Sequence, residues 1–162
     1  MIHIIEGVIS IDNVKEFLQK LNKISKEKNL TLQALDADKI AGEEHIRFAV
    51  EKAINSFKTG TNIANELSKE IMLYTAGTRQ INRALKLGIH KGENNIVIVA
   101  VGDSELSGFD EIRPEPVLAY MESKKEAIMK AFGITNEELE AAGEEKIPDL
   151  VLERVALVEV IK

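Results

Sequence analysis

The 162-residue chain contains no cysteine, which excludes disulfides, thiolate zinc sites and a cysteine nucleophile. No apolar run approaches the roughly 20 residues of a membrane-spanning helix, and the N-terminus lacks the charged-then-apolar order of a secretory signal. Proline is scarce at three residues and glycine moderate at ten, which argues against a fibre or a disordered chain. His3, His45 and His90 are too far apart and too irregularly spaced for a metal site. No Gly-x-Gly-x-x-Gly occurs, so a dinucleotide site has no support. Lys58-Thr-Gly-Thr lacks the glycine spacing that a phosphate-binding P-loop places before its lysine. What is left is a soluble, cytoplasmic chain with no expected metal or cofactor. At 44% apolar and 30% charged residues, it is long enough for one domain, residues 1–162, with a real core.

The net charge of −6 conceals an asymmetry. Residues 1–44 carry 6 basic and 8 acidic groups, residues 45–91 carry 8 and 3, and residues 92–162 carry 7 and 16. A positive middle within an acidic protein is suited to a local anion or nucleic-acid site; the alternative is ordinary scatter of surface charge.

The pattern predicts an α/β fold, with a small mixed sheet of about three or four strands and six to seven helices. Ile2 to Ile9 reads as a strand broken near Gly7. Val14, Phe17, Leu18, Leu21 and Ile24 have helical spacing, with Asp12 as a start signal. Leu30 to Leu35 alternates as a half-buried strand, and a turn runs from Leu35 to Gly42. Helices follow over about Glu43 to Phe57, Ile63 to Thr75 and, capped by Thr78, as far as Gly88. Asn95 to Val101 is apolar on both faces, the mark of a central strand. A polar loop over Gly102 to Pro116 leads to a helix from Val117 to Phe132. Thr135 and Glu138 form a capping box, and Pro148 to Lys162 reads as a helix with a wide apolar face, or a final strand from Val155.

The segment between Gly77 and Gly88 is the most informative. At 100° per residue, Arg79, Arg83 and Lys86 fall within about 60° of one another, while Ile81, Ala84, Leu85 and Gly88 lie opposite. No acidic residue lies between Ile71 and Lys91 to neutralise this stripe. Backbone N–H groups at Thr78 to Gln80 would add an anion-binding helix start. A solvated basic face is the plain alternative. Lys58-Thr-Gly-Thr-Asn62 offers hydroxyls, an amide and a cation, or simply a capped turn. Asp36 and Asp38 read as helix-start chemistry and His45 as a packed residue. The acidic loop Asp103, Ser104, Glu105 and Asp110 carries no pattern, and nothing resembles an assembled nucleophile, base and orienter.

Several of these stretches are familiar together. They are Leu35-Asp-Ala-Asp-Lys-Ile-Ala-Gly-Glu-Glu-His45-Ile, Lys58-Thr-Gly-Thr-Asn62, Tyr74-Thr-Ala-Gly-Thr-Arg-Gln-Ile81-Asn-Arg-Ala-Leu85-Lys-Leu-Gly88, the hydrophobic strand, and Leu-Glu-Arg-Val-Ala-Leu157. With them the chain resembles the small kinase-binding subunit family of the KEOPS complex (the PRPK-binding protein, TPRKB, type), in an archaeal-like form. The likeness covers most of the chain in length and element order.

The resemblance implies a non-catalytic α/β regulatory subunit that binds the atypical kinase-like ATPase of KEOPS directly and the other subunits indirectly. KEOPS installs threonylcarbamoyl-adenosine in tRNA, and this subunit would recruit tRNA through its 3′ CCA end. Arg79, Arg83 and Lys86 would then contact phosphates, and Lys58, Thr61, Asn62 and Gln80 sugar or base edges. Tyr74 and Phe57 are the aromatics near the stripe, and both occupy apolar helical positions, which favours aliphatic and hydrogen-bond contacts over stacking. An apolar surplus at Leu150, Leu157, Val160 and Ile161 marks the candidate kinase surface, or else a fully buried terminal helix. Two other readings stand beside this one: an enzyme or binding protein for a phosphorylated metabolite, with Arg79 and the helix start holding phosphate and His45 or Asp103 as base, and a structural subunit that touches no nucleic acid.

Overall fold

The computed structural model describes residues 1–160, so Ile161 lies outside the described residues. The chain divides into two compact units, Met1–Ala37 with Gly88–Val117, and Asp38–Leu87 with the chain from Leu118 onward. The α/β class is as expected, with seven helices and four strands among the described residues.

The first unit contains strand β1 (Ile2–Ile11), helix α1 (Val14–Lys28), β2 (Thr31–Asp36), β3 (Gly92–Val101) and β4 (Arg113–Pro114). The strand order is β2-β3-β1-β4. Every hydrogen-bonded pair is antiparallel, rather than the mixed set anticipated. The reason is an insertion: α1 crosses between β1 and β2, which run the same way, and β3 enters between them and opposes both. β1 runs unbroken through Gly7, which pairs with Ile96 on one side and Pro114 on the other.

Alternation places Leu32, Ala34, Ile96, Ile98 and Ala100 on the face that meets Phe17, Leu21 and Ile24 of α1. Val97 and Val99 are buried as well, so β3 is apolar on both faces. β3 begins three residues earlier than expected because the polar Asn94 satisfies itself. Its side chain accepts from His90 N–H at 3.0 Å and donates to the His90 and Gly92 carbonyls. Asn13, not Asp12, caps α1, its side chain accepting from Glu16 N–H at 3.1 Å.

The second unit is helical: α2 (Glu43–Thr59), α3 (Leu67–Ala76), α4 (Ile81–Ala84), α5 (Lys125–Phe132), α6 (Asn136–Ala142) and α7 (Ile147–Leu157). α2, α3 and α7 pack on one another. Their core is Ile46, Ala49, Val50 and Ala53 from α2, Ile71, Leu73 and Tyr74 from α3, and Ile147, Val151 and Val155 from α7. Seven consecutive α3 residues, Glu70 to Ala76, are buried, so this helix is enclosed on all sides. Thr135 caps α6 as its capping-box spacing predicts, accepting from Glu138 N–H at 3.1 Å.

Three expected helices begin later than the pattern suggests. α3 starts at Leu67, not Ile63, because the Glu70 carboxylate takes the Ile63 and Ala64 N–H groups out of the helical ladder. α5 starts at Lys125 after a single 3-10 turn, not at Val117. Here the buried ammonium of Lys124 donates to the Ile40 and Leu118 carbonyls at 3.1 and 2.9 Å, folding the preceding chain around itself. The segment after Gly77 is helical only from Ile81, and continues as a 3-10 turn over Leu85–Leu87. The C-terminal segment is helical, with Pro148 in the first turn, where its missing N–H is not needed. Among the described residues it forms no final strand.

Candidate nucleic-acid interface

Gly77 ends α3 in a left-handed conformation (φ 66°), and its N–H and that of Thr78 return to the Tyr74 and Leu73 carbonyls. The Thr78 hydroxyl in turn accepts from Gln80 N–H at 3.1 Å. The Thr78 and Gln80 N–H groups are therefore engaged, and the anion-binding helix start anticipated there is not available. The metabolite reading loses that part of its argument.

The apolar side of the segment is also different from the expected one. A 3-10 turn eclipses residues three apart, so Ala84 and Leu87 are buried while Ile81 and Leu85 are 42% and 61% exposed. The cations do face outward: Arg79, Arg83 and Lys86 are all exposed. Among the described residues none of the three makes an ion pair; Arg79 Nη1 donates to the Val158 carbonyl at 2.9 Å. Partial desolvation of its ammonium, together with the neighbouring charges of Arg83 and Lys39, holds Lys86 below the usual lysine range although the residue as a whole is exposed.

Two cavities divide this stripe. One, of about 380 Å³, is lined by Ile63, Glu66, Lys69, Leu73, Arg79 and Ile81, and so sets a guanidinium against aliphatic walls. The other, of about 270 Å³, takes Arg83 and Lys86 together with Thr78, Lys130 and Arg154. Lys58, Thr61, Asn62 and Gln80 are exposed but line neither of these cavities. The Lys58–Asn62 loop is a capped turn: Thr59 Oγ1 lies 2.9 Å from Thr61 Oγ1, and Asn62 donates to the Ala64 carbonyl. Its far end is fixed by Glu70, which is fully buried and accepts from Ser56, Ile63 and Ala64.

Sequence reasoning missed Glu70, Lys69 and Lys130. Charged residues on amphipathic helices read as solvated, and only the packing shows which of them turn toward a loop or cavity. It also missed Arg154, whose guanidinium grips Glu138 in a two-pronged pair at 2.7 and 2.9 Å and caps α5 by donating to the Phe132 carbonyl. That hydrogen-bonded guanidinium holds the Glu138 carboxyl below its ordinary range.

His45 is packed, as expected, and unsuited to acid–base chemistry. It is 2% exposed, accepts at Nδ1 from Ala41 N–H, and donates from Nε2 to the Thr75 carbonyl at 2.8 Å. Burial lowers its pKa to about 4, so the ring is neutral. Tyr74 is buried and Phe57 half-buried, so neither is an open stacking platform. Ser104 of the acidic loop donates to the Lys28 carbonyl. Among the described residues no group of three or more His, Asp or Glu side chains is placed to hold a metal ion, and no helix is long and apolar enough to cross a membrane.

The candidate kinase surface is smaller than expected. Leu150 is buried, because it lies on the inward face of α7 beside Val151. Leu157 and Val160 are 41% and 65% exposed.

Residues 8–159 match the family model described as kinase binding protein CGI-121. The chain belongs to this family. It is 40% identical over 80 residues to a KEOPS complex subunit Cgi121 from Pyrococcus abyssi, an alignment covering 46% of this chain and 47% of that protein. It is 28% identical over 137 residues to a regulatory protein Cgi121 from Methanocaldococcus jannaschii, covering 82% and 86% of the two chains. The chain thus aligns with about half the length of the first relative and most of the second. The family match runs from β1 to the end of α7, through segments of both compact units.

Proposed function

We propose that this protein is a non-catalytic regulatory subunit of a cytoplasmic KEOPS-type complex. In this reading it binds the atypical kinase-like ATPase directly and recruits tRNA through its single-stranded 3′ CCA end for threonylcarbamoyl-adenosine modification. Membership of a kinase-binding family and the names of the two relatives support the partner. The tRNA role is carried by one observation: Arg79, Arg83 and Lys86 stand exposed on one short segment with no carboxylate paired to them among the described residues.

Such a segment suits a flexible polyanion. Its cations supply charge, and the aliphatic wall of Ile63, Leu73 and Ile81 beside Arg79 supplies an apolar surface for a base in place of an aromatic platform. Lys58, Thr61, Asn62 and Gln80 remain assigned to sugar or base edges around it. The test is tRNA affinity at several salt concentrations for the wild type and for Arg79→Glu combined with Arg83→Glu. The wild type should show a log–log slope of about −0.7 per phosphate contact, and the double variant a shallower slope with much weaker binding. Removing CCA should cost far more than altering the anticodon. Unchanged affinity in the double variant would reject the tRNA role of this segment.

A further inference from the structure

The 270 Å³ cavity between the α3–α4 connection and the end of α5 has an unusual charge balance. Arg83, Lys86 and Lys130 reach it from two separate stretches of chain, and no Asp or Glu side chain lines it. Cations often gather near helix C-termini simply to answer the exposed carbonyls. Several of those carbonyls, however, are answered by other groups. The Leu73 and Tyr74 carbonyls at the end of α3 are taken by Thr78 and Gly77 N–H, and Thr75 is taken by His45. At the end of α5, Met129 is taken by Ile134 N–H, and Phe132 and Gly133 by Arg154.

Arg154 itself is neutralised by Glu138. Arg83, Lys86 and Lys130 have no side-chain acceptor or ion-pair partner among the described residues. Three like charges share one small cavity, an arrangement that an entering anion relieves. Partial desolvation and the neighbouring charges of Arg83 and Lys39 also disfavour the charged form of Lys86. Thr78 also lines the cavity, and its hydroxyl, which accepts from Gln80 N–H, keeps a proton it can donate to an oxyanion.

We infer that this cavity is a seat for one phosphate group, held by Arg83, Lys86 and Lys130 with Thr78 at its edge. Lys130 is its distinguishing residue, since it belongs to α5 and not to the basic segment. The phosphate is either a backbone group of the RNA or that of a small phosphorylated molecule. The inference rests on the tRNA reading for the first source only.

The experiment uses the full chain and inorganic phosphate as probe. Amide shifts at Thr78 and Gly133 should move on phosphate addition in the wild type, and the affinity should fall by about tenfold or more in Lys130→Glu. Lys130→Met retains an aliphatic stem and controls for packing, and its thermal melt should match the wild type while its phosphate affinity also falls. No shift in the wild type, or equal affinity in Lys130→Glu, overturns the seat. CCA-ended RNA then separates the sources. Displacement of phosphate by RNA, with a salt slope shallower by about 0.7 in Lys130→Met, assigns the seat to the RNA backbone. Phosphate binding that RNA does not displace supports the seat with a small phosphorylated ligand. If the Arg79 and Arg83 double variant loses RNA while Lys130→Glu changes neither phosphate nor RNA binding, the seat fails and the tRNA reading stands.

Discussion

The fully buried carboxylate of Glu70 accepts the Ser56 hydroxyl at 2.7 Å, tying α3 to α2 from within. The same carboxylate accepts the Ile63 and Ala64 N–H groups at 3.0 and 2.7 Å, so one side chain both joins two helices and sets the end of the loop between them. Glu70→Ala leaves two backbone donors and a hydroxyl without this acceptor. A loss of about 3 kcal/mol in unfolding free energy is expected, together with faster hydrogen exchange at Ile63 and Ala64. Urea melts and amide exchange check this; amides that stay protected would show that the loop is held by something else.

His45 makes stability depend on pH. Its folded pKa of about 4 lies below the ordinary 6.5, so the folded state resists a proton that the unfolded chain accepts. Its effect is absent above about pH 6.5, and destabilisation grows as pH falls toward 4. The shift is worth roughly 3 kcal/mol in all. Melts from pH 7.5 to 4 should show this decline, and His45→Gln, less stable at neutral pH, should lose that component of it. A decline of equal size in the variant would assign the effect to other groups.

Gly7 is required by a neighbour and not by a turn. A Cβ there would lie 2.3 Å from the Arg113 carbonyl oxygen and 2.6 Å from Ile112 Cγ2, so β4 could not pair where it does. Gly7→Ala should cost about 1–3 kcal/mol and lower Tm by several degrees. A variant as stable as the wild type would mean that β4 moves aside freely.

Leu157 and Leu150 should behave oppositely on α7. Leu157→Glu alters an exposed residue and is expected to abolish co-purification with the kinase-like partner while the isolated protein still melts cooperatively. Leu150→Glu places a charge in the core and should destabilise the fold by several kcal/mol. Retained partner binding in a folded Leu157→Glu protein would move the kinase surface elsewhere.

Local spacing carried the helices at α1, α2 and α6 and the strands β1, β2 and β3, because in each case the period matches the buried face; it missed β4, a two-residue pairing inside a stretch that reads as a polar loop. It failed where a single polar side chain outbid the backbone ladder: Glu70 delays α3, Lys124 delays α5, and Asn94 lengthens β3. Hydropathy counts such residues as solvated and has no means of seeing that they are satisfied inside.

The cationic segment shows the same division. That Arg79, Arg83 and Lys86 lie together with no acid among them is written in the order of residues. That Arg79 lines a cavity with Ile63, Leu73 and Ile81 as well as Glu66 and Lys69, while Arg83 and Lys86 meet Lys130 in another, was decided by tertiary structure alone. The physical reason is that charge density follows from composition along the chain. The direction of a side chain follows from what packs around it, and for Arg83 and Lys86 that includes Lys130 and Arg154, more than 40 positions away.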